Sequence, residues 1–337
     1  MSVSSCLQPV FLSLSAFALA ASFSGPAGAQ QASDSLVPAR VTLGLDAKDL
    51  HGPWTITLTN DSPFPVRVVA DSRQLTFRVR ASSAKSYVDC ALPSAMRPRD
   101  SSRSLVLNAG EQYEEQIDPR LFCFGKILDQ LGADSSVTAF LGWKPDAKRL
   151  KANKPQLAPF VIEPSSSADF EPIKQISSTT VWLAASSLES PEMHEAPAER
   201  GVPKIVVLSN RLTDAYALRD ASITATLKNV GDRSGLLHVR SDDLMLQVRG
   251  PDGQTVKCGS AHSRAVGRDF FHSLGRGATE SMSVLLGEVC PRGFFNRPGV
   301  YEVSTTFNAT ESGQAFGLDA VTGEFSSAST TLVRLQS

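Results

Sequence analysis

Thr57-Leu58-Thr59-Asn60 recurs as Thr226-Leu227-Lys228-Asn229, and the residues after each tetrapeptide recur with it. Fifteen residues past each Asn stands Leu-x-x-x-Val-Arg, as Leu75, Val79 and Arg80 and again as Leu244, Val248 and Arg249. Val88-Asp89-Cys90 is answered by Val256-Lys257-Cys258, Gly110 by Gly277, Cys123 by Cys290 and Gly132 by Gly299. The offset drifts only from 169 (Thr57 to Thr226) to 167 (Cys123 to Cys290). A correspondence held over so long a stretch marks a duplicated domain, each copy with its own cysteine pair. Within the repeat, Leu75-Thr76-Phe77-Arg78-Val79 and Leu244-Met245-Leu246-Gln247-Val248 alternate between one apolar and one mixed face. That is the period of an antiparallel sheet buried on one side.

Working outward, short alternating runs dominate. In the first copy they are 40–45, 54–59, 66–70, 75–80, 104–108, 112–117, 137–143, 158–162 and 178–184. In the second they are 204–209, 223–229, 236–240, 244–249, 279–286, 300–307 and 329–335. Turn signals such as Pro251-Asp252-Gly253 separate them. The one helical stretch expected is Pro119–Leu131, with Pro in its first turn and Gly132 beyond its end. Seven to nine short strands per copy, joined by turns and stapled by cysteines, predict an all-β chain of two tandem immunoglobulin-like antiparallel β-sandwiches. Both copies end on a Ser/Thr-rich strand, which sets the domains at 37–185 and 204–337. The Glu- and Pro-rich stretch 186–203 between them reads as an exposed linker.

The first 29 residues read as an export signal. Val10, Phe11, Leu12, Leu14, Phe17 and Leu19 make a short apolar core, Gly25-Pro26 breaks it, and Ala27-Gly28-Ala29 offers a cleavage site before Gln30. The usual positive n-region is missing, because Arg40 is the first Lys or Arg. No segment is apolar for long enough to predict stable membrane insertion. Cleavage removes Cys6 and leaves Cys90, Cys123, Cys258 and Cys290. Three pairings are open, and duplication selects Cys90–Cys123 with Cys258–Cys290, since each copy must fold as its sibling does. A Cys/His metal site competes, because His262 and His272 lie between the second pair. The first copy has no His between its cysteines, so no metal is expected.

The second copy carries Asp252-Gly253-Gln254-Thr255-Val256, Arg268-Asp269, Leu274 to Gly277, and Pro298-Gly299-Val300-Tyr301-Glu302-Val303. In these runs it resembles the immunoglobulin-like modules of exported bacterial proteins and the amino-terminal regions of some secreted metallopeptidases. It is also similar to proteinase-inhibitor-like sandwiches of the BsuPI type, which share the Pro-Gly-x-Tyr-x-Val strand. The resemblance covers about 100 residues of each copy, and the first copy lacks the Tyr. It implies a fold and a non-catalytic role in recognition or support, and it transfers no site residues.

Chemistry-bearing motifs are sparse. The chain has no nucleophile elbow, zincin helix, phosphate loop or dinucleotide fingerprint. His194-Glu195 begins like a zincin motif, but Pro197 interrupts it and Ala198 stands where the second His should be. Ser82-x-x-Lys85 has acyl-transferase spacing but no accompanying Lys-Thr-Gly. Catalytic, cofactor and metal residues are therefore none, and the chain is read as no enzyme. With a formal net charge of -1 it has no global field to draw nucleic acid. Local charge gathers at 144–154, where Lys148, Arg149, Lys151 and Lys154 offer contact to an acidic glycan or partner, against the plainer reading of a solvated loop. Each copy also has an Arg-Asp step between its cysteines, Arg99-Asp100 and Arg268-Asp269. Arg99 and Arg268 could bind a carboxylate, or could pin a long loop to its sheet. Apolar neighbours on those loops, Leu92 and Met96 or Phe270 and Phe271, either cap a sandwich end or form a recognition tip. Trp54, Trp143 and Trp182 fall in strands and are expected to anchor the core. Asn60-Asp61-Ser62 and Asn308-Ala309-Thr310 fit the glycosylation sequon.

The expectation is an exported, periplasmic or extracellular protein that binds or supports by surface recognition of an exported protein or a glycan. Alternatives are an inhibitor or chaperone-like partner of an exported protease, or a hydrolase with an unrecognised site.

Overall fold

The computed structural model describes residues 39–50, 52–98, 103–142, 162–163, 173–185, 203–259 and 266–337. In the first half the chain forms β1 (Val41–Asp46), β2 (Trp54–Asn60), β3 (Val66–Val69), β4 (Leu75–Arg80), β5 (Val88–Ala91), β6 (Ser104–Leu107) and β7 (Gln112–Ile117). One helical turn, α1 (Pro119–Phe122), precedes β8 (Ser136–Gly142), β9 (Ile162–Glu163), β10 (Gln175–Ser177) and β11 (Val181–Trp182). The second half forms β12 (Ile205–Ser209), β13 (Leu212–Ala215), β14 (Ser222–Asn229), β15 (Gly235–His238), β16 (Leu244–Arg249), β17 (Thr255–Cys258), β18 (Phe271–Leu274) and β19 (Thr279–Leu285). Then come α2 (Leu286–Val289), β20 (Gly299–Ala309), β21 (Gly323–Ser326) and β22 (Thr331–Leu335). The protein is all-β, and among the described residues helix is confined to single turns.

Both halves use one wiring. Sheet β1-β2-β7 corresponds to β12-β14-β19, and β8-β4-β5 corresponds to β20-β16-β17. The last strands, β11 and β22, pair with β8 and β20. Inward residues such as Leu75, Phe77 and Val79 meet Trp54, Ile56 and Leu58 in one apolar cluster, and Leu244, Leu246 and Val248 meet Ile223, Ala225 and Leu227 in another. Each half is thus β-sandwich-like. The two cores place their aromatic bulk differently. The first stacks Trp54, Phe77 and Phe122 edge to face, and the second gathers Phe294, Phe295 and Tyr301.

The repeated Asn and Gly prove to be partners. Asn60 is fully buried; its Nδ2 donates to the carbonyls of Phe64 (2.9 Å), Leu107 (2.9 Å) and Asn108 (3.1 Å), and its Oδ1 accepts from the Ser62 amide at 2.9 Å. Asn229 does the same with the carbonyls of Arg233 and Leu274 and the amide of Gly231. The amides of Gly110 and Gly277 donate to the Asn60 and Asn229 carbonyls, both at 2.8 Å. Their φ of 75° and 76° is a left-handed conformation that glycine adopts without a Cβ penalty. Each Asn therefore ties a strand end to a neighbouring turn and leaves none of its own buried polar groups unpaired. Asn60 in the first sequon is enclosed by this network, so that sequon is structural. Asn308 lies in β20.

Cys90 is bonded to Cys123 and Cys258 to Cys290, with Cα–Cα distances of 4.8 and 4.6 Å. Three expectations change. The helix ends at Phe122, because Cys123 leaves helical geometry and Gly125 takes a φ of 90°. The four-residue strands β5, β13, β17, β18 and β21 and the three-residue β10 lie outside the expected runs, since each is mostly exposed or half-buried and too short to display a period. Finally, Val79 pairs with Val137 and Val248 with Val303, so the offset falls to 166 (137 to 303) and Ala133, not Gly132, stands opposite Gly299.

Candidate functional site

Alternation decides what the main sheet of the first half shows to its surroundings. With Leu75, Phe77 and Val79 turned inward, β4 presents Thr76, Arg78 and Arg80 on the other face. Register sets Asp89 of β5 and Thr138 of β8 on either side of Arg78, and Ser136 beside Arg80. Leu183 is buried, so its neighbour Trp182 points away from the core and is 60% exposed. Trp182 faces Ser136 across the strands. Tyr87, ahead of β5, is 54% exposed, and Val88 is 43% exposed.

These side chains organise one another. Arg78 Nε donates to Asp89 Oδ1 at 2.8 Å and its Nη2 to Oδ2 at 3.1 Å, a fork matched to a carboxylate. That hydrogen bonding raises the pKa of Arg78 above the ordinary guanidinium value. The Arg78 guanidinium lies 5.0 Å from the Phe140 ring centre, and the Arg80 guanidinium lies 5.1 Å from that of Tyr87. Thr138 and Thr180 share a hydrogen bond at 2.8 Å. Arg78, Tyr87, Asp89, Thr138 and Phe140 line an open basin of about 570 Å³. Ser136 Oγ is buried and has no partner among the described residues. Two exposed rings, a guanidinium laid on one of them, and a basin with a fixed ion pair make a surface suited to flat, amphipathic contact. It offers no nucleophile–base pair.

The same face in the second half is occupied. There Glu302 stands where Ser136 does, Arg249 where Arg80 does, and Leu332 where Trp182 does, as the shared register dictates. The α1 corner of the first half rests on it. Arg120 Nη1 donates to Glu302 Oε1 at 2.5 Å while its Nη2 donates to Asp118 at 2.9 Å. Burial opposes the Arg120 charge, but hydrogen bonds and attraction from Asp118 and Glu302 outweigh it and raise its pKa. Arg334 donates to the Leu121 carbonyl at 3.0 Å, lies 4.6 Å from the Phe124 ring centre and forks onto Asp214. Leu212 and Leu332 pack against the first core, and Arg211 meets Asp129 at 2.7 Å.

Other candidates resolve locally. Lys148, Arg149, Lys151, Lys154, Arg99 and Trp143 lie outside the described residues, as do 1–29 and most of the linker. Arg268 and Asp269 are exposed on a 3-10 turn, whose Phe270 is covered by the Arg240 guanidinium at 4.4 Å and whose neighbour Phe271 packs on His238. Leu92 is buried in the first core, Met96 packs on it, and Arg97 Nε holds the Leu92 carbonyl at 2.8 Å. Leu92, Met96 and Phe271 therefore cap, while Phe270 stays exposed beneath the Arg240 guanidinium. His238 Nδ1 and Asp243 Oδ2 are 3.1 Å apart, and burial pushes the Asp243 carboxyl up. No hydroxyl or thiol is placed beside that pair by any hydrogen bond among the described residues. Among them, no three His, Cys, Asp or Glu side chains converge as metal ligands, and no helix is long and apolar enough to cross a membrane. Sequence reading missed Tyr87, Arg78, Arg80 and Asp89, and it placed Trp182 in the core. Trp54 is in the core, fully buried. The alternation of β4 already turned both arginines away from Phe77. For Trp182 the signal was Leu183, whose inward place forces the Trp outward.

No protein-family model matches the chain, and no curated protein sequence does. Solved structures with some likeness include red sea bream transglutaminase (10% identity, TM-score 0.18, 89% of this chain and 32% of that one). Another is the Escherichia coli alpha-2-macroglobulin activated by porcine elastase (11% identity, TM-score 0.20, 88% of this chain and 22% of that one). The chain thus spans a third or less of the proteins it is compared with, and scores this low decide nothing about it.

Proposed function

We propose that this chain is an exported, non-catalytic recognition protein of two immunoglobulin-like domains, 37–185 and 204–337, which binds its target through the open sheet face of the first. The carrying observation is the contrast between the halves: one face is covered by a neighbouring domain, while its counterpart exposes Tyr87 and Trp182 beside the half-buried Arg80. Large aromatic groups and Arg are the residues that dominate recognition surfaces. The immunoglobulin-like reading is supported by the parallel pairing of β13 with β22 and by Tyr301, whose hydroxyl donates to the Arg297 carbonyl at 2.7 Å as a tyrosine corner does. In the first copy Ser135 takes that place, and its Oγ accepts from the Gly132 amide at 3.1 Å. Two disulfides suit an oxidising compartment and so support export. The test compares wild type with Tyr87→Ala/Trp182→Ala, immobilised and exposed to exported proteins and glycans. The variant should lose at least ten-fold in retained ligand at an unchanged melting temperature. Equal retention by both would overturn the reading.

A further inference from the structure

We infer that the open face of the first half receives the α2 corner of a second copy of this chain, so that molecules join head to tail. The inference rests on that face being a binding surface and names its occupant. Its warrant is the contact already made inside the molecule. A corner that follows β7, carries the second cysteine of its disulfide and projects Arg120 is seated on β20 and β22 of the other half. The second half has the equivalent corner, α2 with Cys290, and the first half has the equivalent face, β8 with β11. Among the described residues neither meets the other half: on the corner Gly287 lies against Leu218 of its own half and Glu288 is exposed, and on the face Trp182 is exposed.

The two free surfaces differ from the docked pair in a matched way. On the docked face the receiving charge is the anion Glu302, and the corner brings the cation Arg120. On the open face Ser136 replaces Glu302, which leaves Arg80 as the charge, and no carboxylate pairs with Arg80 among the described residues. Counting back from the cysteine, the free corner has Gly287 where the docked one has Arg120, with exposed Glu288 next to it. Sign is thus reversed on both surfaces together, and opposite charges are what fix a docking register. The face also gains Trp182 where the docked one has Leu332. A contact between unlike surfaces is heterologous and builds rings or filaments, not closed pairs. Without the tether that holds the two halves of one chain together, the same contact loses an effective concentration on the order of millimolar. Association should therefore be weak and steeply dependent on concentration.

The test is sedimentation of the chain from Gln30 to Ser337 over a range reaching about 1 mM. Average mass should rise with concentration. Arg80→Glu, Glu288→Arg and Trp182→Ala should each weaken association at least ten-fold, and the double charge reversal Arg80→Glu/Glu288→Arg should restore it. Circular dichroism and melting confirm that each variant folds. A monomer at every concentration would overturn the inference, as would association that the charge reversals leave unchanged. If the chain stays monomeric yet retains polygalacturonate in a Trp182-dependent way, the face serves an acidic glycan. In that case this inference fails while the binding face stands.

Discussion

Replacing Asn60 with Ala removes a side chain that satisfies four backbone groups at once, and the cost can be worked from its partners. The carbonyls of Phe64, Leu107 and Asn108 lose their donor, and the Ser62 amide loses its acceptor. The Asn60 amide has two hydrogens for the three carbonyls, so with the accepted bond three full hydrogen bonds are at stake; at about 0.5–1.5 kcal/mol net each, the range is about 1.5–4.5 kcal/mol. The carbonyls of Phe64 and Asn108 are only partly enclosed, so water can take up some of the loss. That places the expected destabilisation near 3 kcal/mol, or roughly 6–12 °C in melting temperature for a domain of this size. Asn229→Ala should behave alike, because its side chain ties the second half in the same way. Thr59→Ala, one residue away and half-buried, is the control and should cost about 0.5 kcal/mol. Chemical denaturation of the three variants decides the matter. An Asn60→Ala protein within about 1 kcal/mol of wild type, or a glycan found on Asn60 of the folded chain, would refute the reasoning.

Further expectations concern the staples, the contact between halves and the response to acid. Non-reducing peptide mapping should return Cys90 with Cys123 and Cys258 with Cys290, and removing either pair by Cys→Ala should cost about 2–4 kcal/mol. A double-mutant cycle on Arg120→Ala and Glu302→Ala should show a coupling of about 1 kcal/mol that shrinks in salt, since the pair is partly exposed; zero coupling would mean the contact is not formed. Burial works to raise the Asp214 pKa, but hydrogen bonds from Arg334 and Gln336 prevail and lower it. A folded-state pKa below the unfolded one gives stability that is complete above about pH 4 and lost as pH falls through the folded value. Asp214→Asn should therefore melt below wild type at about pH 6, with the gap closing toward about pH 2.5; a gap constant with pH would contradict this.

Much of the architecture could be read from residue order, for identifiable reasons. The Asn60 and Asn229 ties, the two cysteine pairs and the positive-φ Gly110 and Gly277 each need one residue type at one place, so duplication kept them in phase and made them visible. β4 and β16 were found to their end residues because three inward apolar side chains in six residues leave no other register. What escaped was set by neighbours distant in the chain. β13 exists because β22 offers it an edge, and β5 contributes one inward residue, Cys90, too few to show a period. The candidate face escaped for a related reason. Whether an outward residue is exposed depends on what covers the sheet, and only the fold reveals that α1 covers β20 and β22 while no described residue of the other half covers β8 and β11.

If the molecule makes contact through the open face of its first half, hydroxyl-radical footprinting reads that face directly. The chain from Gln30 to Ser337 is oxidised alone and in the exported fraction, at a concentration too low for self-association. Trp182 and Tyr87 should become protected in the fraction while Phe316, exposed elsewhere, reacts as before. Equal oxidation of Trp182 and Tyr87 with and without the fraction, alongside protection at some other surface, would contradict it.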